Sequence, residues 1–511
     1  VICGIAGRMA QLWRDSEPLS AIGSKPQRIL IERLACGIGS GKGSVGYPNR
    51  QEIKMPPKFG TSGLRGLVTE LTPECIDRHV MAFIASCPVG TGLFIGYDLR
   101  PSSPDIAVIV ARSAQEAGLD VTVCGAVPTP ALALASMKAG AAAVMITGSH
   151  IPADRNGLKF YTPEGEITKA HEAAIVASLG KQVSSAAGVI RDDSAVGANY
   201  LARYTHAYGE ALTGMRIGVY AHSAVGRSGL EELLKALGAQ VVTLGWSDTF
   251  IPVDTEAVAP ALRAQLRQWA KEHECAAIVS TDGDGDRPLL ADADGEVIPG
   301  DILGQITAQV LGAENVVTPV SSNTGVDRMP CFSKVVRTKI GSPFVIAGME
   351  ETPGDTVGYE ANGGFLLGFA AAGPNGGLPP LMTRDAVLPI VAVLAAARAT
   401  SISGLVAQLP ARFTAADRLQ DVPTEDTQAL VQQLTKDATA RAAFLADLGG
   451  EEVGVDLTDG LRISFQDGRI VHLRPSGNAP ELRLYVEADS VTLAQSMLSD
   501  ALGIVSHRLG R

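Results

Sequence analysis

Three times between residues 93 and 364 the chain runs through one succession: a short apolar strand, a helix, a second strand, a second helix and a third strand that ends in a polar loop. The first pass reads as a strand at 93–97, a helix at 104–117 stopped by Gly118, a strand at 121–124, a helix near 131–138 and a strand at 142–146, closing in Thr147, Gly148, Ser149 and His150. The second opens with the strand RIGVY at 216–220. Its helix carries Leu230, Leu233, Leu234 and Leu237 at i, i+3, i+4 and i+7. The strand QVVTL, a helix at 256–274 and the strand AAIVS follow, and the pass ends in TDGDGDR at 281–287. A third, looser pass holds a helix at 301–311, the strands NVVTPV and KVVRT, a helix near 343–351 and the strand DTVGY, and closes in Glu360, Ala361, Asn362, Gly363 and Gly364. Alternation at this spacing predicts three α/β layers. Ligands of such sheets gather at the carboxyl ends of strands, where all three loops lie.

The last hundred residues change character, with a helix near 424–434, short strands at 461–465, 470–473 and 482–487, and a closing helix, so a smaller α+β domain is expected after a hinge at 409–416. At about 150 residues per domain, 511 residues suit three or four domains. The expected divisions are an extension of unknown structure at 1–54, then 55–195, 196–299, 300–410 and 411–511. The extension holds a Gly/Ser-rich patch whose Gly41, Gly43 and Gly46 satisfy G-x-G-x-x-G, but no strand precedes it and it reads as a linker. Met55 is a candidate natural start.

A net charge of −11 argues against general nucleic-acid binding and a polybasic membrane contact. The uncharged stretch 361–383 is long enough to span a membrane, but its asparagines, glycines and Pro-Pro pair predict loops. No secretory signal opens the chain, and the seven cysteines include no C-x-x-C. They read as buried thiols of a cytoplasmic protein.

Asp282, Asp284 and Asp286 alternate with glycines, which lets three carboxylates converge on one hard cation. An EF-hand would need Gly and Glu where Arg287 and Ala293 stand. Ser149 follows a strand, but T-G-S-H lacks the first glycine of a hydrolase elbow, so acyl chemistry is not expected. Lys159 lies just downstream of the serine loop, and Arg65 is the fixed cation of the Gly-rich run KFGTSGLRG, a type of loop that suits phosphate oxygens. Near the C-terminus Arg474, Ser476, Gly477 and Asn478, with Arg483 behind them, combine a guanidinium fork, a hydroxyl and an amide, as a phosphate clamp requires. His79, His171, His206, His273 and His507 fall in expected helices without metal-ligand spacing and are given no role.

Five loops taken in order, FGTSGLRG, TGSHIPADRNGLKF, TDGDGDR, GYEANGG and RPSGNAPELR, resemble those of the α-D-phosphohexomutase family and its phosphomannomutase/phosphoglucomutase branch. The resemblance implies four domains around a central cleft: three similar α/β/α mixed-sheet domains and a C-terminal α+β domain like that of the TATA-binding protein. It also implies roles. Ser149 would be the phosphoserine, with Asp282, Asp284 and Asp286 holding Mg²⁺ beside its phosphate. Glu360 and Asn362 would bind sugar hydroxyls. Arg474, Ser476, Gly477, Asn478 and Arg483 would grip the non-reacting phosphate, and Arg65, Lys159, Arg287 and His150 would serve the reacting one. Gly283 stands where many members carry proline, Asn478 and Ala479 where Thr and Glu are common, and Ser342 near a usual His or Lys. The expected reaction interconverts hexose 6-phosphate and hexose 1-phosphate through a 1,6-bisphosphate, which would also act as activator. Mannose is preferred from the GYEANGG loop and glucose stays open. A metal-dependent sugar phosphatase and a non-catalytic sugar-phosphate binder are the remaining readings. A small phosphosugar is the expected partner, with no nucleic acid, no membrane, and a monomeric or dimeric state.

Overall fold

The computed structural model describes residues 57–60, 63–183, 185–476 and 480–511. The extension 1–54, Met55, Gly477 and Asn478 lie outside the described residues. The threefold repeat is present as one topology used three times. In the first sheet Val121–Ala126, Leu93–Tyr97 and Ala142–Ile146 run parallel in that spatial order, and Arg155–Thr162 returns antiparallel beside the last. The second sheet repeats the order with Gln240–Leu244, Arg216–Tyr220, Ala277–Thr281 and the antiparallel Pro288–Ala291. The third does so with Lys334–Thr338, Asn315–Pro319, Thr356–Tyr359 and the antiparallel Phe365–Leu367, then adds Leu381–Asp385. Each chemistry-bearing loop therefore occupies an equivalent place, between the third parallel strand and its antiparallel return.

The fourth sheet is different. It is fully antiparallel, in the order Phe413–Gln420, Glu481–Ala488, Ile470–Pro475, Leu461–Phe465, Glu452–Asp456, with the helices Thr424–Lys436 and Val491–Arg508 packed on it. Its core, built on Leu434, Phe444, Leu461, Leu473, Leu484 and Val505, is a separate cluster. A single apolar cluster instead runs through the first three sheets, from Leu132 and Met145 through Leu234 and Val279 to Leu303, Tyr359 and Ile390. At the junction of third and fourth sheets the buried Arg412 pairs with Glu487 and Asp489, and Glu487 also accepts from the backbone N–H of Thr324 at 3.0 Å.

Several expectations need correction. The helix expected at 256–274 begins only at Pro260: Asp254 accepts the N–H groups of Glu256 and Ala257, and the residue before a proline is kept out of the helical region. The stretch 361–383 is not all loop, since backbone pairing draws Phe365–Leu367, Ala371–Ala372, Gly377–Leu378 and part of Leu381–Asp385 into strands. The hinge expected at 409–416 overlaps a strand, because Phe413–Gln420 pairs along its whole length with Glu481–Ala488. Among the described cysteines all are free, but Cys331, in the turn after Thr324–Arg328, is exposed and Cys75 is only half-buried. No described helix is long and apolar enough to cross a membrane.

Candidate active site

The loop after Ala277–Thr281 folds around its own first acid. Asp282 Oδ1 accepts the N–H groups of Asp286 and Arg287, each at 3.2 Å, and Gly285 takes the positive φ of 74° that closes the turn. The carboxylates of Asp282, Asp284 and Asp286 thereby converge, fully buried, with one oxygen from each lying within 4.8 Å of the others. Asp284 Oδ2 accepts from Thr129 Oγ1 and Lys159 Nζ, both at 2.6 Å, and Lys159 Nζ also donates to Asp286 Oδ2 at 2.8 Å. Asp284 Oδ1 and Asp286 Oδ1 are buried with no hydrogen-bond partner. Burial and the neighbouring Asp284 and Asp286 push the Asp282 carboxyl well above the usual range. Burial acts on Asp284 in the same sense, but the charge and hydrogen bond of Lys159 together with the hydrogen bond from Thr129 hold that carboxyl low. Hard oxygen donors with unsatisfied lone pairs fit a divalent cation, which would offset the clustered charge.

Ser149 sits against this cluster. Its Oγ donates to Asp282 Oδ2 at 2.6 Å, and its backbone is left-handed at φ 55°, a conformation that costs a non-glycine residue about 1–2 kcal/mol. The buried Arg100 holds it there. Its Nη2 donates to the carbonyls of Ser149 (2.8 Å) and Ile151 (2.6 Å), its Nη1 to those of Pro152 (2.6 Å) and Arg155 (3.0 Å), and its Nε to Asp98 (3.0 Å). Asp98 also accepts from Thr147 Oγ1 at 2.7 Å, which in turn accepts the Ser149 N–H at 2.7 Å. The Phe250 ring covers the guanidinium at 4.1 Å. Gly283 explains itself here: a Cβ would meet the Ser149 carbonyl oxygen at 2.8 Å and the Phe250 ring at 3.0 Å, so glycine lets the acidic loop close on the serine.

The expected cations surround the same point. Lys159 and Arg65 lie not in loops but on strands, Lys159 in register with Met145 and Arg65 with Gly157, so sheet pairing aims both. Burial and the nearby Arg287 push the Arg65 guanidinium down to about 10, still charged at neutral pH. His150 lies with Nδ1 3.4 Å from Ser149 Oγ and accepts from Arg287 Nη1 at 2.9 Å. Burial and Arg287 push this imidazole down to about 3, which keeps it neutral. Arg287 Nε stands 4.0 Å from Asp282 and 3.7 Å from Asp286.

Glu360 and Asn362 are buried in the equivalent loop of the third sheet, where Asn362 Oδ1 accepts the Gly364 N–H at 2.9 Å and Thr255 Oγ1 donates to the Asn362 carbonyl at 2.9 Å. In the fourth sheet Arg474 and Arg483 face each other across paired strands, Arg474 bonded to Asp459 and Arg483 to Glu481, each at 2.9 Å, and Ser476 is buried at the strand end. Glu256 lies within electrostatic range of Arg287 and Glu360 on one side and of Arg483 on the other. Three residues outside the sequence reading also shape the site: Arg100, Thr129 and Arg384, whose Nη2 lies 2.9 Å from Asp286 Oδ2. Only the fixed charge of Arg100 and Arg384 hints at them in the sequence, and Thr129 carries no signal at all.

Family profiles for phosphoglucomutase/phosphomannomutase match the chain in order: alpha/beta/alpha domain I at 56–185, domain II at 198–295, domain III at 299–413 and the C-terminal domain at 418–502. The chain belongs to this family. It is 44% identical over 473 residues to a phosphomannomutase of Sinorhizobium fredii, an alignment covering 88% of this chain and 99% of the relative. It is 43% identical over 463 residues to a phosphomannomutase of Salmonella muenchen, covering 89% and 96%. Among solved structures, a phosphoglucomutase/phosphomannomutase family protein from Burkholderia thailandensis shares the fold at a TM-score of 0.69 and 22% identity, over 88% of this chain and 97% of that one.

Proposed function

We propose that this family member is a phosphomannomutase, an isomerase that interconverts mannose 6-phosphate and mannose 1-phosphate through phosphorylated Ser149 and a hexose 1,6-bisphosphate. The observation that carries the reading is the hydroxyl of a strained serine lying 2.6 Å from an acidic triad that has unsatisfied buried oxygens. The two relatives above support mannose over glucose. Asp282, Asp284 and Asp286, with a phosphate oxygen on Ser149, would hold Mg²⁺, which when bound neutralises phosphate charge and polarises the P–O bond. Asp282, Asp284, Asp286 and Glu360 face Lys159, Arg287, Arg384 and Arg65, so a phosphoserine near −2 and a divalent ion enter as a balanced pair.

In the transfer the Ser149 Oγ–P bond breaks as a bond forms between phosphorus and the sugar hydroxyl oxygen. Lys159 supplies a proton to the departing Oγ, and the sugar hydroxyl's proton replaces it. Arg287, oriented by neutral His150, and Arg65 steady the phosphoryl oxygens. Glu360 and Asn362 receive sugar hydroxyls while Arg474, Ser476, Gly477, Asn478 and Arg483 hold the far phosphate. Turning the bisphosphate round presents its other phosphate to Ser149, so added hexose 1,6-bisphosphate should activate. We assign domains at 55–195, 196–299, 300–410 and 411–511, and a monomer or dimer acting in the cytoplasm.

Ser149→Ala should lower turnover by at least a thousandfold while the circular dichroism spectrum stays unchanged. Wild-type protein should carry one phosphate at Ser149 by mass spectrometry and release little inorganic phosphate from mannose 1-phosphate. Undiminished activity in the variant would remove the assignment.

A further inference from the structure

We propose that Arg384 is a positioning residue that sets the sugar-facing carboxylate Glu360 against the acidic triad, so that the two loops act as one unit. The inference rests on the phosphohexomutase reading of the cleft. Arg384 lies on the strand Leu381–Asp385, and its side chain is only 3% exposed. Nη2 stands 2.9 Å from Asp286 Oδ2 and Nη1 donates to Glu360 Oε2 at 3.4 Å, so one planar fork spans carboxylates from two different sheets. Its Nε and Nη2 are both buried without a hydrogen-bond partner, so the Asp286 leg is an ion pair and not a hydrogen bond.

The backbone around this fork cannot drift. Asp385, the next residue, accepts from the buried hydroxyls of Tyr200 (2.6 Å) and Tyr204 and from the N–H groups of Val387 (2.9 Å) and Leu388 (3.3 Å). The stem of Arg384 is fixed as well. A Cβ at Gly364, in the sugar loop itself, would lie 2.8 Å from Arg384 Cδ and 2.9 Å from Cγ, so the arginine's methylenes fill the space that a side chain at 364 would take. Gly364 and Arg384 are therefore one steric pair, and the Glu360 turn closes through the N–H of Glu360 on the Gly364 carbonyl at 3.2 Å. Fixing a carboxylate through a rigid partner on a packed strand is how such groups are preorganised.

The test is a double-mutant cycle in steady-state kinetics on mannose 1-phosphate, using Arg384→Met, Glu360→Gln and the pair. Arg384→Met should raise KM about tenfold with a smaller fall in kcat. The double variant should be no more than about twofold worse in kcat/KM than the worse single one. A KM rise below about threefold, or losses that multiply in the double variant, would overturn the proposal. Gly364→Ala keeps the arginine but presses on its stem and should raise KM by at least threefold. If Arg384→Met does not fold, the same cycle and the same criteria apply to Gly364→Ala with Glu360→Gln. Failure of the functional reading shows separately, as absence of mutase activity in the wild-type protein.

Discussion

Arg100 has five guanidinium N–H groups, and each has an acceptor in the serine loop or in Asp98. The side chain does two things at once: it satisfies four carbonyls of the serine loop, and it keeps Ser149 in a backbone conformation that serine does not prefer. A lysine has three donors on a point charge and cannot reproduce the fork. Arg100→Lys should therefore lower kcat by about 10- to 100-fold, the scale of an ångström's misplacement of a reacting group. It should also lower the melting temperature, since carbonyls left unpaired cost about 1–3 kcal/mol each. A wild-type kcat in this variant would show that the serine loop holds its shape unaided. Ser149 itself was legible in the sequence as a polar residue after a strand, but Arg100 was not. Its charge sits 49 positions before the carbonyl it serves, and nothing local marks it.

At the scale of elements, Asp301 lies buried in the first turn of the helix Gly300–Val310, accepting the Ile302 N–H at 2.9 Å and the Asn323 N–H at 2.8 Å. Burial pushes its carboxyl up to about 6 against the pull of the Asn323 N–H, from an ordinary value of 3.8. The folded state thus binds the proton more tightly than the unfolded one. The resulting stabilisation is complete below 3.8 and is lost as pH rises through 6, about 3 kcal/mol in all. The melting temperature of wild type relative to Asp301→Asn should accordingly fall between pH 4 and 6.5. A flat difference would contradict it. Elements of this kind divide by how local their cause is. The strands at 93–97, 142–146, 216–220 and 461–465 match the structure because alternating or continuous apolar runs dictate them. The helix Val387–Ala397 has no reading in the sequence, since it is apolar all round and buried, and no periodicity sets it apart from a buried strand. Lys159 is similar: the run NGLKF looks like a loop, and the ladders with Leu64–Leu67 and Ala142–Ile146 make it a strand.

Over the whole molecule the three acidic side chains at the centre are held by groups from three sheets, so an ion entering there should stabilise the assembly and not just one loop. Titrating Mg²⁺ into chelator-treated protein should raise the melting temperature, by about 2.7 kcal/mol of stability at a hundredfold excess over Kd. Asp284→Asn should abolish most of that gain, and an equal shift in the variant would place the ion elsewhere. The molecular plan was legible because the repeat and the five loops are contiguous in sequence, whereas the ties between sheets are not. Those ties have a temporal consequence. Ser149 meets Asp282 across 133 positions, Lys159 meets Asp284 across 125, and Thr324 meets Glu487 across 163. A ribosome completes the segment of Ser149 and Lys159 long before their partners exist, so the buried cluster can close only once the loop carrying Asp282 and Asp284 has emerged.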